Sequence, residues 1–173
     1  FSRLKFWLLK QKARNVVKKN RFPGKFKRIY HFHIRKSAGT SVNAAFWRLA
    51  GKELKDVGRS PLIVTDNHVF VRHNRELIAR GDYFFANSHA PFWQLSLPDG
   101  TFTFTIFRDP VARLYSLYRY YHFNVYHKDA PLLDPMNASV RKYESWLGNS
   151  FMDFLERLPR QQLENQLFMF SET

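Results

Sequence analysis

Tyr30-His31-Phe32-His33-Ile34-Arg35-Lys36-Ser37-Ala38-Gly39-Thr40-Ser41 decides how this chain folds. A short apolar run ends in a turn of small residues holding one lysine. A segment with helical spacing follows, with Val42, Ala45, Phe46 and Leu49 on one face. Strand, small-residue turn and helix together build an anion cradle, because the N–H groups of the turn and of the helix start converge on one point and the lysine adds a mobile charge. Further along, Thr101–Tyr118 repeats the theme: a second apolar run meets Arg108-Asp109-Pro110 and a second helical segment bearing Arg113 and Ser116. Two phosphate-type sites at two strand ends suggest a nucleotide phosphorylated at both ends.

Working outward, Arg28–Ile34 reads as a strand whose nearly continuous apolar character suits the middle of a covered parallel sheet. Thr40–Ala50 reads as a helix. Leu62–Val64 and Val69–Val71 are short strand candidates, and Asn74–Arg80 is a helix closed by Gly81. Tyr83–Ala86 is a strand with Asn87-Ser88-His89 at its end, and Phe102–Phe107 is the next strand after the turn Pro98-Asp99-Gly100. Pro110 stands where proline is favoured, at the first position of a helix. Asp129–Pro135 reads as a loop, Asn149-Ser150 as a cap for a helix over Phe151–Leu158, and Gln161–Phe170 as the last helix. Strands alternating with helices predict an α/β fold with a mainly parallel central sheet flanked by helices, P-loop-like in its nucleotide-binding layout. Ligands of such sheets bind beyond the C-terminal strand ends. Lys36–Ser41, Ser88-His89 and Arg108–Ser116 each follow a predicted strand, so all three are expected on one edge.

The chain has 173 residues, 45% of them hydrophobic and 17% aromatic, which is enough for a core and argues against disorder throughout. It opens on Phe1 and is read as a fragment or a processed chain. Net charge is +14, but residues 1–28 hold eleven of the 28 Lys and Arg and no acid, leaving +3 for the rest. We therefore divide it into a basic amphipathic arm over residues 1–27 and an α/β domain over 28–173, incomplete at its C-terminus. In the arm, Leu4, Trp7, Leu8 and Gln11 fall at helical spacing, with Val16 and Val17 further on. Such an arm is drawn to membrane surfaces or polyanions; the alternative is a solvated helix with no specific partner. The chain lacks cysteine, which excludes disulfides, thiolate metal sites and cysteine catalysis and leans towards a reducing compartment. No apolar run reaches the ~18 residues that a bilayer span needs. The expected location is the cytoplasm or a membrane surface.

The first cluster is not a nucleotide-triphosphate loop, because its lysine precedes the glycine and no glycine lies at the required distance before it. Nor is there an obvious aspartate for magnesium, which favours a phosphate held without metal. In the second cluster an arginine fork at Arg108 and a hydroxyl at Ser116 can hold a terminal phosphate. The alternative pairs Arg108 with Asp109 or another acid to brace the helix start.

Arg35-Lys36-Ser37-Ala38-Gly39-Thr40-Ser41 and Phe107-Arg108-Asp109-Pro110-Val111-Ala112-Arg113-Leu114-Tyr115-Ser116-Leu117-Tyr118 together resemble the two motifs of sulfotransferases dependent on 3′-phosphoadenosine-5′-phosphosulfate (PAPS), in the style of the carbohydrate 2-O enzymes. Arg35 stands where that family usually has proline and Ser37 where it usually has threonine. The likeness covers roughly residues 28–125, with a weaker match at Glu164-Asn165-Gln166-Leu167. It implies a sulfuryl transfer from PAPS to a hydroxyl of a glycan or glycoconjugate, without metal. It further implies that Lys36 stabilises charge on the leaving phosphate, that Arg35 and Ser37, Ala38, Gly39, Thr40 and Ser41 hold the 5′-phosphate, and that Arg108 and Ser116 hold the 3′-phosphate. His89, after the Tyr83–Ala86 strand, is the expected general base; the alternative is a satisfied histidine at a strand end. His31 and His33 read as core or sheet-face residues. An anchor preceding Phe1 would place such an enzyme in the Golgi lumen.

Two other functions compete. A phosphoryl transferase on a related fold predicts ATP and magnesium dependence. A nucleic-acid-binding module driven by the arm predicts strongly salt-dependent binding, and the balanced charge of the remainder argues against it.

Overall fold

The computed structural model describes residues 3–53, 60–127 and 143–171. Five strands, β1 (Arg28–Phe32), β2 (Leu62–Val64), β3 (Val69–Arg72), β4 (Phe85–Ser88) and β5 (Thr101–Thr105), form one sheet in the order β2-β3-β4-β1-β5. β1 runs parallel to both β4 and β5, and β4 runs parallel to β3. Only β2 is antiparallel. The chain is thus α/β with a mainly parallel central sheet, as expected.

Side chains alternate across this sheet with the strand period of two. Tyr30, Phe32, Val69, Val71 and Ala86 face one side, where helix α1 (Arg3–Val17) lies across β2 and β3. Phe70, Phe85, Ile29 and Phe104 face the other, packed with Trp47, Ala44 and Phe46 of α2 (Gly39–Arg48). α3 (Arg75–Arg80) is capped at both ends: the Asn74 side chain accepts from the Leu77 amide, and Gly81 at φ 74° closes it. A single 3₁₀ turn, Phe92–Gln94, follows β4. α4 (Pro110–Tyr126) has Pro110 in its first turn and Asp109 as N-cap. Its Leu114, Leu117, Tyr121 and Val125 build a separate helical core with α5 (Glu144–Leu147) and α6 (Phe151–Arg157). α7 (Arg160–Leu163) and α8 (Asn165–Phe168) complete the chain.

The arm is helical over Arg3–Val17, with Leu4, Trp7 and Leu8 facing solvent and Phe6, Leu9, Ala13 and Val16 making the packed stripe. Three expectations are corrected. The fourth strand is Phe85–Ser88, two residues later than expected. Its pairing puts Ser88 opposite Phe32, and Tyr83 is buried just ahead of the ladder. β1 and β5 stop two residues short of the runs read as strand, at Phe32 and Thr105, where the backbone turns out of the sheet. The last helix is two short ones meeting at Glu164. The expected loop over Asp129–Pro135 lies outside the described residues. Among the described residues no helix is long and apolar enough to cross a membrane.

Candidate functional site

Parallel pairing aligns the strand ends. Phe32 of β1 is level with Ser88 of β4 on one side and with Thr105 of β5 on the other. The segments that leave these strands, 33–38, 89–91 and 106–109, therefore emerge together, which is the common edge expected from the sequence.

The 33–38 turn is wound tightly. Lys36 and Ala38 both have left-handed backbones, φ 66° and 59°. Ala38 is the N-cap of α2 and gives it no side-chain hydrogen bond. Its carbonyl accepts from the amides of Ser41 (3.0 Å) and Val42 (3.2 Å). Among the described residues the amides of Ala38, Gly39 and Thr40 donate to no backbone carbonyl, as the first turn of a helix dictates. They are the donors that a bound anion would use. Gly39 has a different role: a Cβ there would lie 1.9 Å from Cδ2 of His33. Glycine is present for room, because the His33 ring is stacked against the helix start.

Arg108 and Ser116 meet Lys36 at one cavity. Its volume is about 650 Å³, and its walls also include Arg119, Asn124 and the aromatic rings Tyr115, Tyr118, Tyr120 and Phe123. Arg108 Nη1 donates to the Lys36 carbonyl at 3.2 Å, tying the second motif to the turn of the first. The Lys36 amine stands 4.6 Å above the Tyr120 ring. Burial, and then the charge of Arg108, push the Lys36 ammonium below its ordinary range. Asp109 does not brace Arg108; its Oδ1 accepts from the Ala112 amide at 2.7 Å. Gln166 holds Arg108 by its backbone instead. The Arg108 amide donates to Gln166 Oε1 (2.8 Å), and Gln166 Nε2 donates to the Arg108 carbonyl (3.0 Å). Arg113 turns inward, buried, and donates to the carbonyls of Gln162 and Leu163 at the end of α7.

His89 and Arg35 line a second cavity of about 430 Å³, on the other side of the turn, with His33, His73, Arg75 and Asn165. The His89 ring centre is 4.4 Å from that of His33 and 5.0 Å from that of His73. His89 Nδ1 lies 2.6 Å from the His33 carbonyl. A carbonyl only accepts, so Nδ1 carries the proton and Nε2 keeps its lone pair. Burial above all, then the nearby His33, Arg35 and His73, hold the His89 imidazole well below its ordinary range, so it is neutral at pH 7. Burial first, then the nearby His31, His73, Arg35 and Arg72, push His33 down to about 3; burial, then Arg72 and Arg35, push His73 to about 4. His31, as read from the sequence, belongs to the core: it is buried, stacks on Phe104 at 4.7 Å and meets Asn43 at 3.0 Å.

The structure thus divides the expected site residues. Lys36, Arg108 and Ser116 share one cavity; Arg35 and His89 share the other. Ser37–Ser41 form the turn and the first turn of α2 and line neither. The Ser37 side chain is buried, with its Oγ lacking a partner among the described residues. Sequence reasoning missed His33 and His73, which directly follow β1 and β3; without the strand order nothing signalled their convergence on His89. Gln166 was visible only inside the weaker motif. Among the described residues, no group of three or more His, Cys, Asp or Glu side chains is placed to hold a metal ion. No family model, curated protein or solved structure matches the chain.

Proposed function

We propose that this protein is a sulfotransferase that moves a sulfuryl group from PAPS to a hydroxyl of a carbohydrate or glycoconjugate. The observation that carries the reading is the meeting of Lys36, Arg108 and Ser116 at one cavity whose described walls hold no carboxylate. Three cationic side chains and no acid suit a multiply charged anion. Asn124 Oδ1, buried at that cavity without a partner among the described residues, adds an acceptor for a donor group on a base or sugar. The β1–turn–α2 unit acts in this reading as a P-loop-like cradle. Amides of Ala38, Gly39 and Thr40 hold the 5′-phosphate, while Arg108 and Ser116 hold the 3′-phosphate.

PAPS, when bound, supplies an activated sulfuryl group. Lys36 neutralises the negative charge that develops as the bond to the leaving phosphate breaks. His89 Nε2, the free lone pair, takes the proton of the acceptor hydroxyl. In this reading the nucleotide occupies the cavity with Lys36 and the acceptor the one with His89, and the sulfuryl group passes from one to the other at the Arg35–Lys36 turn, which contributes a residue to each. Gln166 positions Arg108 by fixing both sides of its backbone.

Calorimetric titration with 3′-phosphoadenosine-5′-phosphate, run beside ATP with magnesium, tests this reading. Binding of the bisphosphate that is lost in Arg108→Ala or Lys36→Ala supports it. ATP binding in place of the bisphosphate would replace it with phosphoryl transfer, and no binding of either would refute the nucleotide site.

A further inference from the structure

We infer that the outward face of α1 and the cationic cleft behind it dock this protein on an anionic lipid surface. Leu4, Trp7, Leu8, Gln11, Asn15 and Lys18 follow one another at helical spacing and so share one stripe. The packed stripe, from Phe6 to Val16, is occupied by the sheet. The first half of the outward stripe is apolar and bare: Leu4, Trp7 and Leu8 are 66%, 54% and 52% exposed.

The second half changes character. Gln11, Asn15 and Lys18 line a cleft of about 600 Å³ together with cations from α1, β1 and α3. Five cationic side chains (Arg14, Lys18, Lys27, Arg28 and Arg80) face a single carboxylate there, Asp82. Asp82 is already shared, at 3.3 Å, between Arg14 and Arg80. Arg28 is held by the carbonyls of Gly81 and Asp99, which fix its guanidinium without neutralising it. Among the described residues Lys18 and Lys27 pair with no carboxylate.

Each half taken alone fits several partners. A soluble polyanion would use the cleft and leave Trp7 and Leu8 idle. An apolar protein groove would use Trp7 and Leu8 and leave the excess positive charge of the cleft unmatched. A membrane surface bearing phosphate headgroups uses both, with tryptophan and leucine at the acyl boundary and lysine and arginine among the headgroups. The position suits this role. Arg28 opens β1 and Gly81 precedes β4, at the opposite strand ends from Lys36 and His89, so docking leaves both candidate cavities uncovered.

The test is co-sedimentation of the full chain with phosphatidylcholine vesicles, with and without phosphatidylserine, at near-physiological salt. Binding is expected only with phosphatidylserine, accompanied by a blue shift of tryptophan emission that Trp7→Phe removes. Trp7→Ala/Leu8→Ala should weaken binding about tenfold or more, and Lys18→Glu/Lys27→Glu at least as much. All four side chains are exposed, so circular dichroism should be unchanged. No binding to phosphatidylserine vesicles overturns the inference. So does binding that survives Trp7→Ala/Leu8→Ala and is displaced by a soluble sulfated polysaccharide, which would make this a polyanion site. Self-association abolished by Trp7→Ala/Leu8→Ala, without vesicle binding, would make it a contact between copies and overturn it equally.

Discussion

Replacing Gly39 by Ala tests the junction on which both cavities depend. Helix propensity alone predicts a gain of up to about 1 kcal/mol, because alanine is the better helix former. Packing predicts the reverse. The new Cβ would lie 1.9 Å from His33 Cδ2, 2.2 Å from Nε2 and 2.8 Å from Cγ, all far inside van der Waals contact. The ring has nowhere simple to go. Asn43 Nδ2 is 3.3 Å from its Nδ1, and the rings of His31 and His89 are centred 5.4 Å and 4.4 Å away. Overpacking of this kind typically costs about 1–3 kcal/mol, so the net sign is destabilising. For a chain of this size each kcal/mol moves the midpoint by about 2–4 °C. Urea and thermal unfolding read the change. Repeating the substitution in a His33→Ala background should remove most of the penalty, giving a coupling of about 1–3 kcal/mol between the two sites. If Gly39→Ala stabilises the protein in the native background, the His33 ring does not sit on the start of α2, and the geometry argued for His89 falls with it.

Lys36→Ala should lower sulfuryl transfer at least about a hundredfold, the usual loss for one charge-stabilising donor, with the far-ultraviolet circular dichroism unchanged; full activity would refute the role. Gln166→Ala should weaken bisphosphate binding by about fivefold, from the loss of two hydrogen bonds worth about 1 kcal/mol together at an exposed backbone, and calorimetry would see it. Acid should destabilise the fold well above the carboxylate range. The unfolded chain binds protons on its histidines below about 6.5. Folded His33 and His73 stay neutral down to about 3 and 4. More protons on the unfolded side means that stability falls as pH falls, so the urea midpoint should already be lower at pH 5.5 than at pH 7. An unchanged midpoint would contradict the buried histidine cluster.

The sheet was legible because β1 and β5 are bounded by features that leave little choice. An apolar run before Arg35-Lys36 and another between Gly100 and Pro110 have no room to be helices. The common edge followed from parallel pairing, a consequence of strand and helix alternation. Strand ends were less legible: Tyr83 is as apolar as a strand residue and fully buried, yet the ladder begins at Phe85. Which face of the arm packs was not legible for a related reason. Its apolar residues occupy two stripes, and periodicity cannot tell which of two stripes meets a partner until the partner is placed. His33 and His73 were illegible because their meeting with His89 depends on β1, β3 and β4 being neighbours in an order that the sequence does not spell out.

The dipeptide Ala38-Gly39 makes the same point at the scale of one peptide. Glycine is the residue that adopts a left-handed backbone most readily. The structure puts φ 59° on Ala38 and leaves Gly39 in the first turn of the helix. Steric crowding at Gly39 is the reason for that order, since only a residue without Cβ fits against His33. Nothing in the structure explains alanine rather than glycine at position 38. A left-handed alanine costs roughly 1–2 kcal/mol, and alanine is also a poor N-cap. Glycine would give back roughly 0.5–1 kcal/mol through the freedom it adds to the unfolded chain. Ala38 is exposed, so its methyl group contributes no packing that would be lost. Ala38→Gly should therefore stabilise the protein by about 1 kcal/mol while Gly39→Ala destabilises it, two small changes in adjacent residues with opposite signs. Both are read from the same urea titrations. The reverse pattern would mean that the turn carries its left-handed residue at Gly39, with the amides of the α2 start aimed elsewhere than the anion site argued here. Lys36 shares the left-handed conformation at φ 66°, and there the side chain supplies the reason: its ammonium is one of the three positive charges at the cavity, which glycine at that position would remove.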